Sequence, residues 1–143
     1  MIAMLLLAIT LGCGGPIRTE YIEGTVTYNG VPVASAAVNF SPVGEGNPAY
    51  GTTDDSGVFR IQTHLGAPDR GTTQGEYIVT IRKVEPIPSG IFATDPYGHQ
   101  YEVIERRRSL LPRIYNVPST SPLRVEVKRG TNRFEFDLVG DLE

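Results

Sequence analysis

From residue 20 onward the chain is written in short runs in which apolar and polar side chains alternate one by one, each run closed by turn residues. A period of two puts successive residues on opposite faces of an extended backbone, so these runs fit β-strands with one buried and one wet face. Across Tyr21 to Tyr28, the residues Ile22, Gly24, Val26 and Tyr28 share one face, and Glu23, Thr25 and Thr27 the other. Asn29-Gly30 follows, a pair that accepts positive φ and favours a tight reversal. Ala36, Val38 and Phe40 form the next inward set, ended by Pro42 and the loop Gly44-Glu45-Gly46-Asn47-Pro48. After the short run Ala49 to Thr53 comes Asp54-Asp55-Ser56-Gly57, where Gly57 takes positive φ and the Asp side chains bond nearby N–H groups, closing a hairpin. Phe59 and Ile61 lead one further inward set, and Tyr77, Val79 and Ile81 another. Leu123, Val125 and Val127 precede a turn at Gly130-Thr131-Asn132, which leads into Phe134, Phe136 and Leu138.

These runs predict an all-β fold: a single antiparallel Greek-key sandwich of about seven strands spanning residues 21–139. Residues 84–122 break the pattern, with six prolines and no clean alternation. They read as one long irregular insertion, with a helical turn or two over Glu102 to Leu111 ended by Pro112, and with looser chain around Pro86 to Gly98.

Charge and composition exclude several classes of function. A formal charge of −3 argues against nucleic acid as a partner, because phosphate backbones are met by clustered Lys and Arg. Twenty per cent charged residues with sixteen Gly and eleven Pro describe a turn-rich globular chain. No G-x-S-x-G elbow, P-loop or G-x-G-x-x-G is present.

The first fifteen residues, MIAMLLLAITLGCGG, are uncharged and hold the only cysteine, Cys13, near their end. About a dozen apolar residues are too few to span a bilayer, which needs about 20, but match the apolar part of a signal peptide. Thr10-Leu11-Gly12-Cys13 resembles the lipobox of bacterial lipoproteins, in which the cysteine is lipidated and becomes the mature N-terminus. Thr10 stands where that pattern usually has Leu, and no Lys or Arg precedes Arg18. The resemblance implies a signal peptide over 1–12 and a lipidated Cys13 with a tether over 13–20. It also implies a membrane-anchored protein of the bacterial cell envelope, facing the periplasm or exterior. An ordinary cleaved signal, or a buried N-terminal strand with a free thiol, is the alternative. Removing the twelve residues before Cys13 from 143 leaves 131, enough for one domain with its own core. The seven residues Gly14 to Glu20 reach at most about 25 Å, so the domain stays close to its membrane.

Three stretches carry a second resemblance. Gly24-Thr25-Val26-Thr27-Tyr28-Asn29-Gly30-Val31-Pro32-Val33 runs into Ala36-Ala37-Val38-Asn39-Phe40; Thr53-Asp54-Asp55-Ser56-Gly57-Val58-Phe59 follows, then Gly75-Glu76-Tyr77-Ile78-Val79. Their order resembles the carboxypeptidase regulatory-like, or transthyretin-like, β-sandwich domain. The resemblance implies that fold and no catalytic site, since the shared residues are turn and core positions. It covers residues 21–139 apart from the insertion.

Candidate chemistry is sparse. His99-Gln100-Tyr101-Glu102 matches the H-x-x-E pair of zinc carboxypeptidases, but a catalytic zinc takes a third protein ligand, and no histidine follows His99. His64 and His99 also lack the H-x-H spacing of intradiol dioxygenases, whose fold is transthyretin-like. Asp54 and Asp55 offer two carboxylates toward calcium, where six to eight oxygens are needed, and are read first as turn residues. Arg106, Arg107 and Arg108 form the one basic run, suited to anionic headgroups or a glycan, or else a solvated face balanced by Glu102 and Glu105. Tyr97, Tyr101 and Tyr115 fall in the insertion, where exposed rings could stack on sugars.

The expectation is therefore a non-catalytic, lipid-anchored envelope module with no cofactor, acting structurally or through an unidentified envelope protein. The alternative is a glycan- or peptide-binding module using residues 84–118. Clustering of the three tyrosines and the arginines on one face would favour the alternative, and their dispersal the first reading.

Overall fold

The computed structural model describes residues 18–63 and 71–142. The signal segment, Cys13, most of the tether and His64 lie outside the described residues. In chain order the strands are β1 (Tyr21–Tyr28), β2 (Val31–Pro32), β3 (Ala37–Pro42), β4 (Ala49–Thr52), β5 (Val58–Arg60) and β6 (Gln62–Thr63). They continue with β7 (Gly75–Arg82), β8 (Val84–Thr94), β9 (Gln100–Ser109), a 3₁₀ turn (Arg113–Tyr115), β10 (Arg124–Val127) and β11 (Thr131–Leu138). The protein is all-β.

Two sheets face each other. In the first, β1 is central, with β11 along one edge and both β2 and β5 along the other. The second runs β10-β7-β3-β4-β6. The alternation places side chains as expected. Ile22, Val26, Ala36, Val38, Phe40, Val79, Ile81 and Leu138 are fully buried, and Phe59, Ile61, Tyr77, Val127 and Phe136 nearly so. Each large apolar side chain withdrawn from water contributes about 1.5–3 kcal/mol, so this shared interior is the main source of stability. Asn29 and Gly30 adopt φ of 49° and 79°, the reversal expected between β1 and β2.

At the centre of the interior, Gly24 is the register partner of Phe59 on one side and Phe134 on the other. With no side chain at Gly24, the Phe59 ring lies over β1, its Cζ within 2.7 Å of where a Gly24 Cβ would stand. Phe40 from the opposite sheet lies 6.4 Å from Phe59 and 6.0 Å from Phe134. Phe136 stacks beside them, 5.9 Å from Phe59 and 6.2 Å from Phe134. These are the separations at which tilted and stacked aromatic pairs attract.

Pairing departs from expectation in two respects. β11 runs parallel to β1 along its whole length, whereas an antiparallel sandwich was expected. The reason lies in the turns. Asp54 to Gly57 and Gly130 to Asn132 do not close hairpins; each carries the chain from the second sheet to the first, so β5 and β11 pair with β1 and not with the strands before them. Among the described residues eleven strand segments replace about seven, because bends divide the chain further and the insertion adds a pair.

Buried polar groups hold the second corner. Asn132 accepts the Lys128 N–H at 2.8 Å and donates to the carbonyls of Lys128 at 2.8 Å and Gly130 at 3.2 Å. Glu20, also buried, accepts the Gly130 N–H at 2.6 Å and the Gln74 amide at 2.9 Å. The Gly130 N–H first, and then the Gln74 amide, hold its carboxyl below the ordinary glutamate range. Both bonds favour the charged form.

Two outcomes follow from this packing. Gly24→Ala would bring a Cβ into the Phe134 carbonyl and within 2.7 Å of Phe59 Cζ. A compatible Gly→Ala change stabilises; here we expect a loss of about 1–3 kcal/mol in guanidinium unfolding, and an unchanged midpoint would refute the packing described. Because the folded pKa of Glu20 lies below its unfolded value, its contribution is present above about pH 4.3 and is lost as pH falls through the folded value. Denaturation midpoints of Glu20→Gln should thus fall below wild type at pH 7, with the gap closing as pH falls through the lowered folded value.

Candidate functional site

The segment expected to be irregular is a long antiparallel hairpin. β8 and β9 pair from Val84↔Ser109 to Thr94↔Gln100, with irregularities at Ile87/Pro88 and Pro88/Phe92. Glu102 to Ser109 is strand, not helix, and the helical turn sits later, at Arg113–Tyr115. Alternation marks a strand only when one of its faces is buried, and here neither is: no residue of β8 or β9 is fully buried. Pro86 and Pro88 fit because β8 is an edge strand, where a missing amide need not break a ladder.

The tip, Asp95-Pro96-Tyr97-Gly98-His99, is built as the Asp54 turn is. Asp95 Oδ1 accepts the N–H groups of Tyr97 at 2.8 Å and His99 at 2.9 Å, and Gly98 takes φ of 89°. In the earlier turn, Asp54 Oδ1 accepts the N–H groups of Ser56 at 2.9 Å and Val58 at 3.0 Å and the Ser56 hydroxyl at 2.7 Å, with Gly57 at φ 78°. The His99 N–H and ring hold the Asp95 carboxyl below its ordinary range, and the Ser56 hydroxyl and Val58 N–H do the same for Asp54. The shared signal is Asp-x-x-Gly; reading it at residues 95–98 as well as 54–57 would have located a turn there.

These turns settle what the candidate ligands do in the fold. Asp54 is occupied by three donors, and Asp55 stands exposed beside it. His99 Nδ1 lies 3.0 Å from Asp95 Oδ2, while Glu102 Oε1 accepts the Gly90 N–H at 3.1 Å, so the H-x-x-E pair serves two different local contacts. Among the described residues no three His, Cys, Asp or Glu side chains gather to hold a metal.

The tyrosines and arginines do not converge. Tyr115 is 6% exposed, and its hydroxyl donates to the Val139 carbonyl and accepts the Val139 N–H, which makes it a core residue and removes it from the binding candidates. Tyr97 and Tyr101 are exposed near the hairpin tip, 86% and 53%. Arg106, Arg107 and Arg108 lie toward its base, about 17–23 Å from Tyr101 at strand spacing. Arg108 pairs with Glu85 across the hairpin. Ile91, Phe92 and Ile104 are also exposed on the hairpin, the first two by about two thirds.

A second polar group lies on the outer face of the first sheet, unforeseen from sequence. Arg60 Nε donates to the Tyr21 hydroxyl at 3.0 Å, Tyr21 donates to Glu23 at 2.9 Å, and Glu23 meets Arg133 at 2.9 Å. A hollow of about 260 Å³ borders it, lined by Glu23, Gly24, Thr25 and Arg133 among others. Alternation put Glu23 and Arg133 on the wet side, but only strand pairing made them neighbours. The network ties three strands together, and Glu23 is engaged from two sides.

No protein-family model matches the chain, and no curated protein sequence does. Among solved structures it is similar to a 9R-lipoxygenase from Cyanothece PCC8801, with a TM-score of 0.40 and 16% identity over 96% of this chain and 18% of that one. It is also similar to chlorocatechol 1,2-dioxygenase from Pseudomonas putida, with a TM-score of 0.39 and 11% identity over 90% of this chain and 62% of the enzyme. The chain thus spans less than two thirds of either neighbour.

If Asp54 is a turn residue and not a cation ligand, Asp54→Ala should lower the melting temperature while Asp55→Ala leaves it within error. Adding millimolar calcium should shift neither wild type nor variant. A calcium-dependent rise abolished by Asp54→Ala would reverse the assignment.

Proposed function

We propose that this protein is a lipid-anchored module of the bacterial cell envelope, held by Cys13 and facing the periplasm or exterior. In this reading the sandwich is a non-catalytic carboxypeptidase regulatory-like domain, and the hairpin of β8 and β9 is its interaction element. The observation that carries the reading is that hairpin, which holds its apolar side chains in water on an otherwise well-packed domain. Exposed apolar groups on a regular element fit a surface that meets a partner.

The family assignment is supported by where its residues fall. Gly24 and Val26 lie in the interior, Asn29-Gly30 forms the first reversal, and Asp54 and Gly57 build the second turn. The non-catalytic reading is supported by the engagement of His99, Glu102 and Asp54 in local structural bonds. Dispersal of the tyrosines and arginines favours a protein-interaction role over glycan binding.

Cellular fractionation tests the anchor: Cys13→Ser should move the protein from the membrane to the soluble fraction, and persistent membrane association would refute lipid anchoring. In the same experiment a chain whose residues 84–109 are replaced by a short turn should stay on the membrane.

A further inference from the structure

We propose that the occupant of the hairpin is a second copy of this chain, paired antiparallel along β9, so that two hairpins join into one sheet in the order β8-β9-β9-β8. The proposal rests on the hairpin being the interaction element and names its partner.

A two-stranded ribbon wet on both faces is marginal by itself, and a third strand with cross-strand side-chain contacts is what ordinarily stabilises it. Its two outer edges differ. β8 carries Pro86 and Pro88, which remove donors and blunt its edge, whereas β9 has no proline and pairs only with β8. The edge with its full set of amides is therefore that of β9.

Charge then selects the occupant. Along β9 the acidic residues precede the basic ones: Glu102 lies in its first half, Glu105 just past the middle, and Arg106, Arg107 and Arg108 follow in its second half. Among the described residues Glu105, Arg106 and Arg107 have no ion-pair partner, Arg108 being taken by Glu85. When two such strands run antiparallel with Glu102 opposite Arg107, the Glu102 of each lies against the arginine run of the other and Glu105 meets the uncharged Ile104. A parallel pairing would set like against like, so the polarity also fixes the direction. The exposed side chains of Tyr101 and Ile104 would gain cross-strand neighbours in the joined sheet.

The test uses two differently tagged copies of the full chain, co-purified in detergent. An acidic variant carries Arg106→Glu and Arg107→Glu, and a basic variant carries Glu102→Lys and Glu105→Lys. Wild-type copies should capture each other, and each variant should capture itself ~10-fold less or worse, through like-charge repulsion. Mixing the acidic with the basic variant should restore capture, which misfolded hairpins would not do. The proposal is overturned if wild-type copies fail to co-purify, if either variant self-associates as wild type does, or if the mixture is not restored. Membrane retention through Cys13 is read separately, so failure of self-pairing and failure of the anchored-module reading are distinguishable.

Discussion

The fold depends on a missing side chain at the middle of β1. Gly24 leaves a gap that the Phe59 ring fills from β5 and the Phe134 carbonyl borders from β11, and Phe40 reaches across from the other sheet to pack on Phe59 and Phe134. Glycine is ordinarily a weak strand residue, since it forfeits packing and gives up more backbone freedom than other residues on folding. Here the lost packing is supplied by its neighbours, and the close approach of the Phe134 carbonyl leaves no room for a Cβ. β1 can consequently serve as the shared partner of β11, β2 and β5, which joins the first and last described strands in one sheet.

Around that row the chain changes sheet at corners closed by polar side chains. Asp54 gathers its own turn's donors, Asn132 folds back on Lys128 and Gly130, and Glu20 pins the Gly130 N–H from the start of β1. A corner leaves backbone groups without ladder partners, and when buried those groups cost stability unless side chains take them up. Parallel pairing of β1 and β11 is a consequence, because a strand that enters the opposite sheet is free to run beside β1 in the same direction. Glu20 and Asn132 are the buried polar residues that secure this arrangement, one from each of the two paired strand ends.

The hairpin of β8 and β9 obeys different physics. Its strands are set by the Asp95 turn and by backbone pairing, with no buried face to select one set of side chains over the other. That is why its sequence mixes prolines, apolar residues and charges without period, and why periodicity failed to reveal it. Of the candidate site, the Asp54 turn was legible because short-range Asp-to-backbone bonding is local. The burial of Tyr115 was not legible, since the hydroxyl's partner, Val139, stands 24 residues away. The pairing of Glu23 with Arg133 was hidden for the same reason, being separated by almost the whole domain.

By itself the sequence determined which side chains face inward, since a period of two is a property of any extended strand, and it determined where the chain must turn, since Asn29-Gly30, Asp54 and Gly57 act through bonds within a few residues. It left open which strands would meet, because a turn residue reverses a chain equally well within one sheet or between two. Only the tertiary structure decided that the corners at Asp54 and Gly130 cross between sheets and that β11 lies parallel to β1. It alone also decided that residues 84–109 stand out as a hairpin. The crossings and the parallel pairing follow from which apolar faces can be buried together, a comparison among distant segments that no local pattern encodes.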